Sequence, residues 1–158
     1  VPDSVTNEMV KDRLAQGDLE NGFLLDGYPR NVLQAEVLRA ILAENGTPLH
    51  AALELSVDKD EVIARLSGRR SCSNCQRTYH VATEKPAVEG ICDACGSALV
   101  QREDDKAEVI ARRLEVYEEQ TAPIISFYRN EGLLITISAV GAVNEITDSA
   151  IAALSRVK

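Results

Sequence analysis

Apolar positions in this chain fall into short blocks separated by glycine, proline and charged residues, and their spacing changes from block to block. Val5, Met9 and Leu14 recur at intervals that place them on one side of a first helix, capped by Asp3 or Ser4 and ended by Gly17. Phe23, Leu24 and Leu25 instead form a continuous apolar run that stops abruptly at Asp26, which predicts a buried strand over 23–26. Helical spacing returns over 31–45, with Leu38, Ile41 and Leu42 apolar and Gly46 as the stop. The next strand is predicted over 51–57. Asp58, with Glu61 three residues on, forms a capping-box pattern that opens a helix running to Gly68. Between Arg69 and Arg102 the periodicity disappears. It resumes near Asp105 in a long helical stretch that Pro123 kinks or splits, because proline removes a helical donor and clashes with the preceding turn. A β-rich run over 133–137 and an amphipathic helix over 144–157 complete the pattern. Strands alternating with helices predict an α/β fold with a mostly parallel sheet.

Composition narrows the function. The 158 residues, 45% of them hydrophobic, suffice for one domain with a core and a small appended module. No apolar run is long enough to cross a membrane, and no secretory signal is evident. A net charge of −8 argues against a general nucleic-acid or anionic-membrane surface. Within that acidic background the cations are skewed, 12 Arg against 5 Lys, which suits bidentate phosphate contacts better than simple solubility.

The stretch without periodicity holds Cys72-x-x-Cys75, sixteen residues, then Cys92-x-x-Cys95. Thiolates so spaced can reach one tetrahedral ion in pairs, with the intervening loop returning the second pair to the same point. Four thiolates fill zinc's coordination sphere and leave no position for a catalytic water, so the expected site is structural. Two disulfides, or iron in place of zinc, are the alternatives. His80 is not needed as a fifth ligand and reads as a structural hydrogen-bonding group.

Two further constellations carry candidate chemistry. The predicted strand at 23–26 ends in Asp26-Gly27-Tyr28-Pro29-Arg30, with Gln34 one helical turn later. Ligands of open α/β sheets sit outside the carboxyl ends of the strands. A carboxylate there can hold a hydrated Mg²⁺, and a planar, permanently charged guanidinium suits a phosphate. The alternative is a turn in which Asp26 and Arg30 merely pair with each other. Arg65 and Arg69, four apart at the end of one predicted helix, share a face; Arg102 and Arg113, eleven apart, share another if that helix extends so far. The two pairs flank the cysteine module. Taken singly, each arginine fits a surface ion pair.

The Asp26–Arg30 string closely resembles the DGFPR signature of adenylate kinases, with Tyr28 in place of the family's Phe, and the resemblance extends from Val1 to the final helix. It implies a P-loop-kinase-like parallel sheet core with an inserted zinc-binding lid: core over 1–68, lid over 69–102, core again over 103–158. The cysteine module sits where long-form bacterial members carry a mobile lid, many with a Cys₄ zinc. Family members begin with a strand, a glycine-rich P-loop and a helix; no Gly here is followed by Lys, so that loop is not in this segment. The resemblance therefore implies the larger C-terminal part of such an enzyme, lacking the first strand of a five-stranded sheet, poorly stable and inactive by itself.

The same resemblance implies roles. Arg65 and Arg69 look like arginines on the ATP phosphates and the transferring group; Arg102 and Arg113 look like those that clamp the AMP phosphate and the transition state. Asp26 corresponds to the residue that orients Mg²⁺ through water. Arg30 corresponds to an AMP-phosphate contact within an AMP-binding stretch that includes Gly27, Tyr28 and Pro29. Gln34 corresponds to the reader of adenine, and Val1 to a backbone contact with AMP. Thr78 and Tyr79 match a pair that contacts ATP, and Gly141 a backbone position beside the ATP adenine. Gln34 has a competing assignment, because Asn31-x-x-Gln34 is also a helix-capping pattern. Asp104 and Asp105 lie at the lid hinge and could be helix caps without chemical role. The implied reaction is ATP + AMP ⇌ 2 ADP with Mg²⁺, with ATP, AMP and ADP as partners, no nucleic acid, no membrane, a cytoplasmic location and a monomer when complete. The competing readings are a related nucleoside monophosphate kinase with another base preference, and a non-catalytic zinc-ribbon protein using a kinase remnant as a binding scaffold.

Overall fold

The computed structural model describes residues 1–157, which divide into two compact units, Val1–Ser56 joined by the chain from Tyr117 onward, and Val57–Val116. In the first, α1 (Asp3–Leu14) packs on α2 (Val32–Asn45), and α5 (Pro123–Asn130) packs on the other side of α2. Leu14, Tyr28, Leu38, Ile41 and Leu42 form one buried cluster, and Ala35, Ile124 and Tyr128 a second; Leu49 touches both. Only the end of α1 joins this core. Val5 and Met9, expected on its apolar side, are 47% and 65% exposed, while Val10 and Leu14 face α2.

Strand β1 (Ala52–Ser56) pairs in parallel with β5 (Leu134–Ser138), in register from Ala52 opposite Leu134 to Ser56 opposite Ser138. A parallel pair needs a crossover, and the whole chain between the two strands supplies it. The strand expected over 23–26 does not form: the segment has no ladder partner among the described residues and bends at Asp26. Its pattern is that of a strand buried on both faces, yet Leu24 is 88% exposed. Helix α6 (Val143–Leu154) packs on β5.

In the unit Val57–Val116, α3 (Lys59–Gly68) packs against α4 (Ala107–Val116) around Ile110, which is fully buried. The expected capping box is not made: Asp58 occupies the cap position without a side-chain bond, and Glu61 pairs with Arg65 instead. Three short antiparallel strands, β2 (Arg69–Cys72), β3 (Thr78–His80) and β4 (Leu99–Val100), follow in the order β3-β2-β4. The long helical stretch expected from Asp105 is broken three ways: a 3₁₀ turn over Glu103–Asp105, then α4, then a π-turn over Tyr117–Thr121 before Pro123 starts α5. Proline is tolerated there because a first-turn N–H has no helical partner.

Candidate functional site

Gly27 adopts a φ of 76°, a left-handed conformation in which a Cβ would sit 3.3 Å from Arg30 Nη2. The Tyr28–Pro29 peptide is cis. This fold of the loop lets Arg30 Nε donate to the Gly27 carbonyl at 2.7 Å, leaving both terminal nitrogens of the guanidinium without a protein partner among the described residues. Asp26 is exposed and likewise unpartnered among the described residues, so the two do not neutralise each other. The Arg30 backbone is held on both sides: its N–H donates to Gln34 Oε1 at 2.7 Å, and its carbonyl accepts from Thr121 Oγ1 at 2.9 Å.

Gln34 is 5% exposed. Its backbone N–H donates to Asn31 Oδ1, which makes Asn31 the cap of α2, and its Nε2 donates to Asp3 Oδ1, both at 2.8 Å. The other oxygen of Asp3 accepts from Asn31 Nδ2 at 2.8 Å. Asp3 therefore does not cap α1, whose cap position is Pro2. The Tyr28 hydroxyl donates to Asn7 Oδ1 at 2.8 Å; burial first, then the Asp3 charge, pushes its ionisation upward. Val1 is 98% exposed at the start of this region, and Gly141, with φ 124°, lies in the exposed turn before α6.

The arginines are brought together differently from the helical spacing. Helix α3 ends at Gly68, so Arg69 is a strand residue and does not share a face with Arg65. A Cβ at Gly68 would overlap the His80 ring, whose Nδ1 accepts from the N–H groups of Ala82 and Thr83 and whose Nε2 lies 3.3 Å from the Ala64 carbonyl. Arg102 precedes the 3₁₀ turn and is not on the helix that carries Arg113. Arg69 grips Asp105, which is fully buried, through two hydrogen bonds, Nε to Oδ2 at 3.0 Å and Nη2 to Oδ1 at 2.5 Å. Those bonds, and then the charges of Arg69, Arg102 and Arg113, hold its carboxyl below the usual range against the opposing effect of burial. Arg113 Nη1 also donates to the Asp104 carbonyl at 3.3 Å. Neither aspartate is a helix cap; Asp105 is the acceptor that fixes Arg69. Arg65 Nε donates to Glu61 Oε1 at 2.7 Å.

The sulfurs of Cys72, Cys75, Cys92 and Cys95 all lie within 4.8 Å of one another, with Cys72–Cys95 at 3.4 Å and Cys75–Cys92 at 3.6 Å. Zinc–sulfur bonds of about 2.3 Å at tetrahedral angles require sulfurs about 3.8 Å apart, so the donor set fits zinc. Each pair is a tight knuckle: Gln76 N–H returns to the Cys72 carbonyl and Gly96 N–H to the Cys92 carbonyl, both residues at positive φ. Bonds from the Ser97 side chain and backbone push the Cys95 thiol down to about 5. The Arg77 N–H acts in the same direction on Cys75, yet the three neighbouring sulfurs override it and push that thiol up to about 12. Four sulfurs this close cannot all ionise unless a cation shares their charge. Tyr79, 2% exposed, lies under the cluster; its hydroxyl accepts from Asp93 N–H at 2.9 Å and sits 3.5 Å from Cys92 Sγ. Thr78 beside it is exposed.

Three residues of these networks carried no site signal in the sequence: Asp3, Asn7 and Thr121. Their partners lie 31, 21 and 91 residues away, beyond any local spacing rule.

The family model for adenylate kinase matches residues 1–133. The adenylate kinase of Acidothermus cellulolyticus is 56% identical over 154 residues, which is 98% of this chain and 71% of that protein. That of Streptomyces avermitilis is 54% identical over 99% of this chain and 71% of its own length. That of Thermoanaerobacter pseudethanolicus is 50% identical over 92% and 67%.

Proposed function

The chain belongs to the adenylate kinase family, and from that premise we propose how its residues serve the reaction ATP + AMP ⇌ 2 ADP. The observation that carries the assignment is the Asp26–Gln34 loop: a guanidinium anchored through Nε with both terminal nitrogens, like the Asp26 carboxylate, without a partner among the described residues, and an amide locked at a helix start. Arg30 takes the AMP phosphate, Gln34 reads the adenine, and Val1, Gly27, Tyr28 and Pro29 line the AMP side. Asp26 orients the hydrated Mg²⁺ that accompanies ATP.

Phosphoryl transfer asks little covalent chemistry of a protein. It requires two anions held in line and neutralisation of charge on the transferring oxygens, without a general base. Arg65 and Arg69 serve the ATP phosphates and the transferring group, and Arg102 and Arg113 the AMP phosphate and transition state. Asp105 behind Arg69 fixes its fork, so that its remaining N–H groups are aimed before substrate arrives, which is where electrostatic catalysis gains most. With the Tyr79 hydroxyl spent inside the cysteine module, its part in ATP binding falls to its backbone and to the exposed Thr78; Gly141 lies beside the ATP adenine. The four cysteines hold a structural zinc. Segment 69–102 is the lid, and 1–68 with 103–158 the core. No described helix is long and apolar enough to cross a membrane, and we place the enzyme in the cytoplasm as a monomer.

ADP formation from ATP and AMP with Mg²⁺, measured on the protein that carries this chain, tests the reading. Arg30→Ala is expected to raise KM for AMP about tenfold or more, since a charge-assisted phosphate contact is lost. A panel of nucleoside monophosphates checks the base: a preference for a monophosphate other than AMP would overturn the role of Gln34.

A further inference from the structure

An amide is symmetric in shape and opposite in chemistry at its two ends, so a glutamine that reads a base must be told which way to face. In this structure the Arg30 N–H fixes the oxygen end of Gln34 and a carboxylate fixes the nitrogen end. Asp3 is acceptor-only, and its two oxygens each take one amide N–H: Oδ2 from Asn31 Nδ2 and Oδ1 from Gln34 Nε2, both at 2.8 Å. A single negative charge thereby fixes two amides. Asn31 must turn Oδ1 to the Gln34 N–H, which caps α2, and Gln34 must turn Oε1 to the Arg30 N–H at 2.7 Å. Gln34 then has one N–H and one lone pair unspent, with the donor and acceptor ends assigned. Adenine presents an acceptor at N1 and a donor at N6, the complement of that pair; hypoxanthine presents the reverse, a donor at N1 and an acceptor at O6.

We infer that Asp3 is the specificity-determining positioning residue of the AMP site: it holds the Gln34 amide in the one orientation that accepts a 6-amino purine and refuses a 6-oxo purine. The inference rests on the proposal that Gln34 reads the base. Asp3 itself touches no substrate. It lies in the first turn of α1, so that the helix start and the base reader are coupled by a bond spanning 31 residues.

The test is the ratio of kcat/KM for AMP to that for inosine monophosphate, measured with ATP and Mg²⁺ in the protein that carries this chain. Asp3→Asn keeps the shape but offers an N–H₂ of its own, which a reversed Gln34 amide accepts; Asp3→Ala removes the carboxylate and leaves only the Arg30 N–H to orient the amide. Both are expected to lower the ratio about tenfold, the scale of a misread bidentate base contact, with KM for ATP unmoved. Asn31→Ser keeps a cap on α2 while deleting the other amide that Asp3 holds, and is expected to preserve the ratio. Loss of stability in the Asp3 variants with an intact ratio would overturn the inference, as would an equal collapse in Asn31→Ser, which would make the helix cap the determinant. A Gln34→Ala variant separates the two levels. An unchanged ratio there would overturn the base-reading role and the inference together; a collapsed ratio with intact Asp3 variants would overturn the inference alone.

Discussion

Arg69 and Asp105 show how one residue's environment decides what another can do. The Asp105 side chain is 0% exposed and that of Arg69 30%, so the pair is mostly out of water and neither partner is dispensable. Removing one member of a buried pair leaves an uncompensated charge, at a cost of about 3–5 kcal/mol when both are fully buried. Partial exposure of Arg69 puts Arg69→Ala at the lower end of that range in denaturant titration. The pH dependence has a definite sign. The folded Asp105 carboxyl is depressed below its unfolded value of about 3.9, so its contribution is complete above that value and disappears as pH falls through the lower folded one. The Tm advantage of the parent over Asp105→Asn is therefore expected to be flat from pH 7 to about 5 and to shrink toward pH 3. An advantage that grows on acidification would contradict the assignment. Thr121→Val removes the bond that holds the Arg30 carbonyl; a loss of about 1 kcal/mol in urea titration is expected.

The cysteine module illustrates an element whose order comes from a ligand set. Its strands are two to four residues long, and its buried cluster is only Cys72, Tyr79 and Cys92, with Leu99 packed against them. So little apolar surface cannot offset the entropy of ordering the loop; metal binding, on the order of 10 kcal/mol for a structural zinc, can. One equivalent of zinc per chain is expected by elemental analysis, falling to near zero in Cys95→Ser. Chelation is expected to abolish amide protection across β2, β3 and β4 in hydrogen exchange, while α2 and α5 keep theirs. Protection that survives chelation would mean the knuckles order themselves without metal.

At the scale of the molecule, the unit that contains β1 and β5 has a sheet of two strands and an incomplete cover. Leu24, Val143, Ile151 and Leu55 are 88%, 81%, 61% and 52% exposed, although their apolar spacing is that of buried positions. A two-stranded sheet is marginal, and exposed apolar surface of this kind seeks a partner. Expressed as these 158 residues alone, the chain is expected to bind a hydrophobic dye, to unfold with low cooperativity and to form no ADP, since no Gly-Lys phosphate loop lies within it. Turnover by the isolated segment would show that its own residues hold the donor phosphates and would sink this expectation.

The sequence by itself determined what depends on short spacing and on chemical type. The two Cys-x-x-Cys pairs, the helices around Leu38 and Ile110, the strands β1 and β5 taken singly, and the Asp26–Gln34 string were all legible, because each repeats or concentrates within a few residues. Only the tertiary structure decided the rest. Helical arithmetic placed Arg69 with Arg65 and Arg102 with Arg113, but Gly68 ends its helix against His80 and the 3₁₀ turn intervenes before α4. Arg69 is bonded instead to Asp105, 36 residues away. The apolar run 23–25 spells a strand, yet a strand exists only as a hydrogen-bonded pair, and no described neighbour supplies the other half. Asp3, read locally, is a helix start; read in space, it is the acceptor that orients Asn31 and Gln34. Residue type sets which bonds a side chain is able to make, whereas the partner that satisfies them is fixed by how distant segments pack.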